Sequence, residues 1–426
     1  MKPTIETLKL EGVGPALRMK VEFGPRLNLF TGDNGLGKTF LLDVAWWALT
    51  RSWAGNPALP FEEEGASEIE FSLCDANKPI PIKTVFDASV HVWKFPQGRP
   101  VKPGLVIYAR VDGGFSVWDP VRNYLKPIES HQLSLFDETW PEPFHFSTET
   151  LWNGLEREDG KILCNGLLRD WVSWQLKKST DFDSLGKVLK KLKPEEFDVW
   201  KIGEPGRFSP DDVRDIPTLE LPYGRIPITH ASAGVRRILG FAYLLVWALS
   251  EHRAAAKLRK ESPSKRLIVL FDEVEAHLHP RWQRLFLPAL LEVLSGKNMP
   301  ASRQLLVSAH SPLVTASVEI AFDEKQDRLF TFDLTNGQVS ARQIPWSKQG
   351  DVVNWLVSEA FGLRQARSKE AESVVEAAEQ WMRGERDNLP KDMNTEDKIH
   401  LKLIGVLADH DPFWPRWIVR REGTRS

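Results

Sequence analysis

Residues Gly32 to Thr39 read GDNGLGKT, a full match to the phosphate-loop pattern G-x-x-x-x-G-K-[ST]. The loop follows Leu27-Asn28-Leu29-Phe30, an apolar run that reads as a buried parallel strand. It precedes Phe40 to Leu49, which reads as a buried helix. Strand, glycine-rich turn and helix in that order predict an α/β P-loop NTPase fold. The glycines let successive backbone N–H groups turn towards an anion, and the helix N-terminus adds the positive end of its dipole. The candidate nucleotide-binding set is therefore Gly32, Asp33, Asn34, Gly35, Leu36, Gly37, Lys38 and Thr39. Lys38 supplies a point charge suited to β- and γ-phosphates, and the Thr39 hydroxyl suits Mg²⁺, so ATP and Mg²⁺ are the expected ligands.

Working outward, Leu267-Ile268-Val269-Leu270-Phe271 ends in Asp272-Glu273. Five apolar residues followed by two carboxylates predict a central parallel strand whose C-terminal end faces the ligand. Asp272 is the candidate metal residue, and Glu273 the candidate for orienting and polarising the attacking water. A second apolar strand, Gln304 to Val307, runs into Ser308-Ala309-His310-Ser311-Pro312. His310 stands just past that strand end, where it would reach a γ-phosphate or the water. Between loop and acidic strand, Ser232-Ala233-Gly234 opens an apolar helix, Gly234 to Leu249, with Ser232 fitting an N-cap. Arg236 and Arg237 in its first turn oppose the helix dipole, which suggests that this end faces phosphate or a partner carboxylate.

This ordered set resembles the ABC-type ATPase heads of the SMC and OLD families. The stretches FDEVEAHLHP (271–280), RWQ (281–283) and SAHSPL (308–313) are similar to the bacterial AAA-15/AAA-21 ATPases, a group that includes ATPase subunits of OLD nucleases and of the Septu, PARIS and retron-linked phage-defence systems. The resemblance covers residues 1–50 and 225–345. It implies that ATP is sandwiched between two protomers, with the Ser232-Ala233-Gly234 turn of one closing over the γ-phosphate held by the other. It makes Asp272 the metal residue, Glu273 the catalytic carboxylate and His310 the switch histidine, and it sends Glu275 to Leu278 across the dimer interface. The implied partners are a second copy of the chain, up to a higher oligomer, and a separate effector: an HNH or Toprim nuclease, or a retron component. Two departures stand out. The signature reads SAGVR, without the usual second glycine and glutamine, and no glutamine-bearing Mg²⁺-sensing loop can be placed.

The expected organisation is an ABC-type head split in sequence, 1–50 and 225–345, with a globular mixed α/β insertion at 51–224 and a C-terminal helical region at 346–426. Within the insertion, Ile69 to Leu73 and Leu105 to Ala109 read as strands and Leu163 to Leu192 as helical. No heptad run appears where SMC proteins carry a coiled coil. Proline-rich Glu204 to Pro227 reads as a loop and Arg253 to Arg266 as a charged connector. Phe332-Asp333-Leu334 and Thr335-Asn336-Gly337-Gln338 suggest a hairpin. Lys369 to Arg383, capped by Ser368 and stopped by Gly384, places Ala371, Val375, Ala378 and Met382 on one helix face.

Composition bounds the rest. A net charge of −2 over 426 residues gives no global basic field of the kind a DNA-coating protein shows. Two cysteines, Cys74 and Cys164, without CxxC spacing point to a reducing cytosol. His277 and His279 lack a third ligand for zinc. No signal peptide is visible at the start of the chain, and the most apolar stretch, Ile238 to Leu249, is shorter than a membrane span, so a cytoplasmic protein without a membrane partner is expected. Asp409-His410-Asp411 superficially resembles a Toprim D-x-D but lacks a strand-terminal Glu-Gly ahead of it, so no nuclease activity is expected of this chain. Nucleic-acid contact rests only on Lys187, Lys190, Lys191 and Lys193, and on Arg416, Arg420, Arg421 and Arg425 beside Phe413-Trp414. Two readings follow: an ATP-driven sensor or scaffold of antiviral defence, or an SMC-like chromosome or repair ATPase that clamps DNA. The missing coiled-coil arm favours the first.

Overall fold

The computed structural model describes residues 4–61, 67–75, 78–95, 101–123, 142–193, 200–335, 337–386 and 389–423. Asn336 and Arg425, named above, lie outside the described residues. The chain forms two compact units, residues 1–355 with 359–361, and residues 356–358 with 362–426.

The first unit opens on an antiparallel hairpin, β1 (Ile5–Val13) and β2 (Ala16–Glu22), followed by β3 (Leu27–Gly32) and α1 (Lys38–Thr50). The hairpin is extended by β4 (Glu68–Asp75), β5 (Lys78–Asp87) and β6 (Val92–Lys94) into a five-stranded sheet, order β2-β1-β4-β5-β6. Next come β7 (Leu105–Ala109), β8 (Phe115–Trp118) and β9 (Phe144–Phe146), then α2 (Thr148–Asn153), the short pair β10 (Leu155–Glu156) and β11 (Ile162–Cys164), and helices α3 (Leu167–Leu176) and α4 (Thr180–Leu192). A three-stranded antiparallel sheet follows, β12 (Lys201–Gly206), β13 (Ile216–Leu221) and β14 (Gly224–Pro227). The rest of the unit is α5 (Ala233–Leu258), β15 (Arg266–Phe271), α6 (Pro280–Leu294), β16 (Ser302–Ser308), α7 (Pro312–Ser317), β17 (Arg328–Thr335) and β18 (Gln338–Ile344).

The central sheet has eight strands in the order β18-β17-β3-β16-β15-β7-β8-β9. Pairing is parallel from β17 through β3, β16 and β15 to β7, and antiparallel at both edges. Its inner strands are buried on both faces, which is why they read as continuous apolar runs. Alternate residues then serve opposite layers. Leu29, Ile107, Val269 and Leu305 pack in a core with α5 and α6. Phe30, Val106, Leu270 and Leu306 pack in another with α1 and the five-stranded sheet. The C-terminal ends of β3, β15 and β16 consequently share one edge of the sheet.

Three sequence expectations change. The 51–224 stretch is not a body apart from the head: β7 sits directly beside β15 in the central sheet, and β4 to β6 complete the sheet begun by β1 and β2. Glu204 to Pro227, read as a loop, is mostly sheet. The β12–β13 register shifts between Gly203 and Gly206, so Pro217 has no paired partner there and its missing N–H costs no ladder bond. Arg253 to Arg266 is not wholly a connector, because α5 continues to Leu258 through Ala254-Ala255-Ala256, which favour helix. At 26 residues α5 is the one helix among the described residues long and apolar enough to cross a membrane, and 78% of its most apolar window is buried inside the fold.

Across the boundary in sequence runs α8 (Val352–Leu356). The second unit holds α9 (Lys369–Arg383), α10 (Glu396–Val406) and α11 (Phe413–Gly423) around a small core of Val375, Ala378, Ile399, Leu403 and Trp417. Ser368 accepts from Ala371 N–H at 3.2 Å, and Gly384 ends α9 in the left-handed region at φ 86°. Asp411 follows α10 and is held by Arg367 at 2.7 and 3.0 Å, a bidentate ion pair inside this unit.

Candidate nucleotide-binding and catalytic site

Gly37 is the N-cap of α1 and sits at φ 86°, with Gly35 at φ 78°, and these left-handed residues turn the loop back over the helix. Asp33, Asn34 and Gly35 are exposed, whereas Lys38 is buried with 4% exposure. Its ammonium donates to the loop's own carbonyls, Gly32 O at 2.8 Å and Asp33 O at 2.7 Å. Burial lowers the Lys38 pKa to about 8, although Glu273, Asp272, Asp33 and Glu275 pull the other way. The loop therefore presents a half-desolvated cation that an anion would restore.

Thr39, the second residue of α1, donates its hydroxyl to Asp272 Oδ2 at 2.8 Å. Asp272 closes β15, is fully buried, and accepts from Ser308 Oγ at 2.5 Å through its other oxygen. Ser308 in turn accepts from Glu273 N–H at 2.7 Å. The register explains this, since Phe271 pairs with Val307 and the next residues of the two strands face each other at the sheet edge. Thr39 and Asp272 present hard oxygen donors side by side, a donor set that fits a Mg²⁺ ion.

Glu273 lies in the left-handed region at φ 45°, an unusual conformation for a residue with a Cβ, and its turn departs from strand alternation at this point. Its Oε1 is 3.5 Å from His310 Nε2. Burial, and then the nearby Lys38 charge, hold the His310 imidazole below its usual pKa, with Glu273 opposing. The His310 backbone is fixed by Glu275, whose Oε1 accepts from His310 N–H and from Ser311 N–H at 3.1 Å. Burial raises the Glu275 pKa, and its Oε2 is buried without a partner among the described residues.

The structure thus brings Lys38, Thr39, Asp272, Glu273 and His310 to one edge of the sheet. Ser232 and Ala233 are exposed at the start of α5, where Ser232 Oγ accepts from Val235 N–H at 3.4 Å. Gly234 is buried, and a Cβ there would lie 2.7 Å from His277 O, so a side chain at this position would push the signature turn off the segment after β15. Arg237 turns into its own chain, where Asp272, Glu275 and Glu273 attract its charge while burial lowers its pKa. Its Nη2 donates to Asp272 O at 2.9 Å and Glu273 O at 3.1 Å, and the guanidinium lies over the Phe271 ring, while Arg236 is exposed.

Sequence reasoning missed Ser308, the anchoring of the His310 loop by Glu275, and Asp43. The last, one turn after Thr39 on α1, accepts from Tyr108 of β7 at 3.0 Å, and burial raises its pKa to about 6. Ser308 was legible as a hydroxyl at the strand end beside the acidic strand. The Asp43–Tyr108 contact needed the neighbour relation of β7 and β15, which no local pattern carries. Among the described residues no group of three or more His, Cys, Asp and Glu gathers as a metal cluster.

A parallel sheet with this loop, acidic strand end and histidine-bearing strand end, all at one edge, defines a P-loop ATPase of the ABC type. The chain belongs to the family described as "AAA domain, putative AbiEii toxin, Type IV TA system", whose profile matches residues 27–316. It is 23% identical to Septu protein PtuA of Bacillus thuringiensis over 382 residues, 85% of each chain. It is 32% identical to a retron Ec83 probable ATPase of Escherichia coli over 98 residues, 23% of this chain and 15% of that protein. Among solved structures it is similar to an SMC head domain from Thermotoga maritima, with a TM-score of 0.41 and 14% identity, covering 81% of this chain and 100% of that one.

Proposed function

We infer that two copies of this chain close around ATP and Mg²⁺, hydrolyse the ATP, and act as the sensor or scaffold subunit of an anti-phage defence complex with a separate effector. The observation that carries this reading is the asymmetry of the site. Everything from Lys38 to His310 converges within one chain, while Ser232 and Ala233 stand exposed at the head of a long buried helix. The relation to the Septu protein over most of both chains supports the defence role.

In this reading the loop N–H groups and Lys38 bind the phosphates, and Thr39 and Asp272 hold the metal. Mg²⁺ supplies charge neutralisation on the β- and γ-phosphates. Glu273 accepts a hydrogen bond from the attacking water and aligns it, and His310, held by Glu275, borders the same water. The Ser232-Ala233-Gly234 turn of the second copy covers the γ-phosphate. The effector is a separate polypeptide that distinguishes the closed from the open pair of heads, because a switch works only through such unequal contacts.

Light scattering of the Glu273→Gln chain with ATP and Mg²⁺ tests the dimer. A doubling of mass that Ser232→Glu abolishes is expected, and an unchanged mass would overturn the sandwich. Co-purification with the products of neighbouring genes tests the effector. A protein that ignores every neighbour and instead clamps DNA in an ATP-dependent way would establish the chromosome or repair reading in its place.

A further inference from the structure

Two lysines of α4 left unexplained by the ATPase site, Lys187 and Lys191, line a cavity of about 440 Å³ between α4, the middle of α5 and the segment that leaves α6. Its floor is apolar, made by Val188, Val246, Leu249, Val293 and Met299. Its rim carries Lys187, Lys191, Arg253 and Lys297 against a single lining carboxylate, Asp181. Four cations to one anion is a local excess of three positive charges on a chain whose net charge is −2.

That excess is only partly compensated from within. Lys191 pairs with Glu292 at 2.8 Å, and Arg253 donates to Asn298 O at 2.6 Å. Lys187 and Lys297 have no ion-pair partner among the described residues. Lys187 and Lys191 are one turn apart on the same face of α4, where like charges repel. A solvated lysine face needs neither a concave floor nor buried valines and leucine beneath it. A row of cations for duplex phosphates would lie along a ridge, whereas a cavity of this volume lies in the range of small-molecule sites. At the margin, the Ser184 hydroxyl, which donates to Thr180 O at 2.8 Å and so is left as an acceptor, and the Asn298 amide add the few directional groups such a site uses.

The cavity is remote from the phosphate loop. Gly296 to Met299 immediately precede β16, so the cavity lies towards the N-terminal ends of the strands, opposite the catalytic edge. Along α5, Leu249 is sixteen residues beyond Ala233, about 24 Å of helix. A molecule bound here cannot touch the γ-phosphate.

We propose that this cavity is a second binding site, for a nucleoside phosphate whose base lies on the apolar floor and whose phosphate is held by Lys187, Lys191, Arg253 and Lys297. The ligand is either a free nucleotide or the 5′-phosphorylated end of a strand, since both offer the same base and phosphate.

The test uses the full-length Lys38→Ala chain, so that the phosphate loop does not contribute, and calorimetric titration with the four ribonucleoside 5′-monophosphates, inorganic phosphate and a 5′-phosphorylated tetranucleotide. Saturable binding of at least one monophosphate or of the tetranucleotide is expected, with inorganic phosphate far weaker because it leaves the floor unused. Adding Lys187→Glu and Lys297→Glu should weaken that binding about tenfold or more, as the loss of charge-assisted contacts implies. Both positions are exposed, so the same pair of substitutions in the otherwise native chain should leave ATP hydrolysis and the melting temperature unchanged. Tighter binding of the tetranucleotide than of any monophosphate would assign the strand end as ligand; the reverse would assign the free nucleotide. No saturable binding, binding indifferent to the two substitutions, or inorganic phosphate binding as tightly as the nucleotides would each overturn the proposal.

Discussion

The two halves of the nucleotide site are built differently. At the loop and acidic strand, Thr39, Asp272, Ser308 and the Glu273 backbone form one run of hydrogen bonds around a fully buried carboxylate, and Lys38 bonds the carbonyls of its own loop beside it, with no bond in either set longer than 2.8 Å. At the signature turn, Ser232 and Ala233 are exposed, and the serine's bond within its own helix is a 3.4 Å cap. A preorganised network holds charge where charge must be met, and an exposed turn leaves its donors free for something that arrives later. The contrast is what the proposed pairing of two chains calls for: one chain would prepare the phosphates and the metal position, while the γ-phosphate cover would come from a partner. It also separates experiments that should damage chemistry from those that should damage assembly.

The largest effect should come from Glu273→Gln. The substitution preserves shape but removes the carboxylate proposed to orient and polarise the water, so turnover should fall by about two to four powers of ten with ATP affinity retained. Steady-state hydrolysis alongside equilibrium ATP binding checks this. Unchanged turnover would move the role to another carboxylate, with Glu275 the next candidate, and would break the assignment of chemistry to the prepared half.

Lys38→Ala should weaken ATP binding by about two powers of ten, since it deletes charge-assisted contacts to phosphate. The fold should survive, because among the described residues its side chain hydrogen-bonds only carbonyls of its own loop, and its charge is already disfavoured by burial. Near-native affinity in that chain, measured with an intact circular dichroism spectrum, would dissolve the contrast from the other side.

Why one half was readable in sequence and the other parts were not follows from the same physics. The phosphate loop is local: glycines at fixed offsets, a strand before it and a helix after it, so GDNGLGKT carries its own geometry. The inner strands were equally plain, because burial on both faces demands the runs LNLF, LIVLF and QLLV. Strand neighbours are not local. Leu105 to Ala109 reads as a strand, but nothing in LVIYA says that it lies beside β15, and hence that Tyr108 reaches Asp43. Prolines misled in Glu204 to Pro227, since a register shift in β12 accommodates Pro217. The place Arg237 takes within its own chain was not legible from its charge. The helix dipole disfavours it in that first turn, yet two strand-end carbonyls receive it.

Ser232→Glu separates the halves most cleanly. A carboxylate at the exposed turn would face the γ-phosphate of the opposite nucleotide, and like-charge repulsion there should lower turnover about tenfold or more and abolish ATP-dependent dimerisation. ATP binding by the single chain should be unaffected. Loss of binding together with turnover would mean that the turn serves its own chain's nucleotide, which would undo the comparison.

The smallest effect concerns the cost of preparing charge in advance. Asp43 is mostly buried one turn beyond Thr39, and burial lifts its pKa from 3.8 to about 6, against the lowering effect of its hydrogen bond from Tyr108, with Asp272 adding to the rise. The folded chain therefore holds this proton more tightly than the unfolded chain does. Below about pH 4 the carboxyl is protonated in both states and no penalty exists. Between about pH 4 and pH 6 the unfolded form ionises first, so this group's contribution to stability falls as pH rises, and above pH 6 the penalty is constant. Asp43→Asn keeps an acceptor for Tyr108 and removes the charge, so the variant should be more stable at neutral pH, by about 1 kcal/mol after discounting for partial solvation. The difference between variant and parent should shrink to nothing below pH 4 in urea melts. A variant that is less stable at neutral pH would show that the ionised Asp43 is used within the prepared half, as a counter-charge to something bound, and ATP affinity in the same variant would then fall with it.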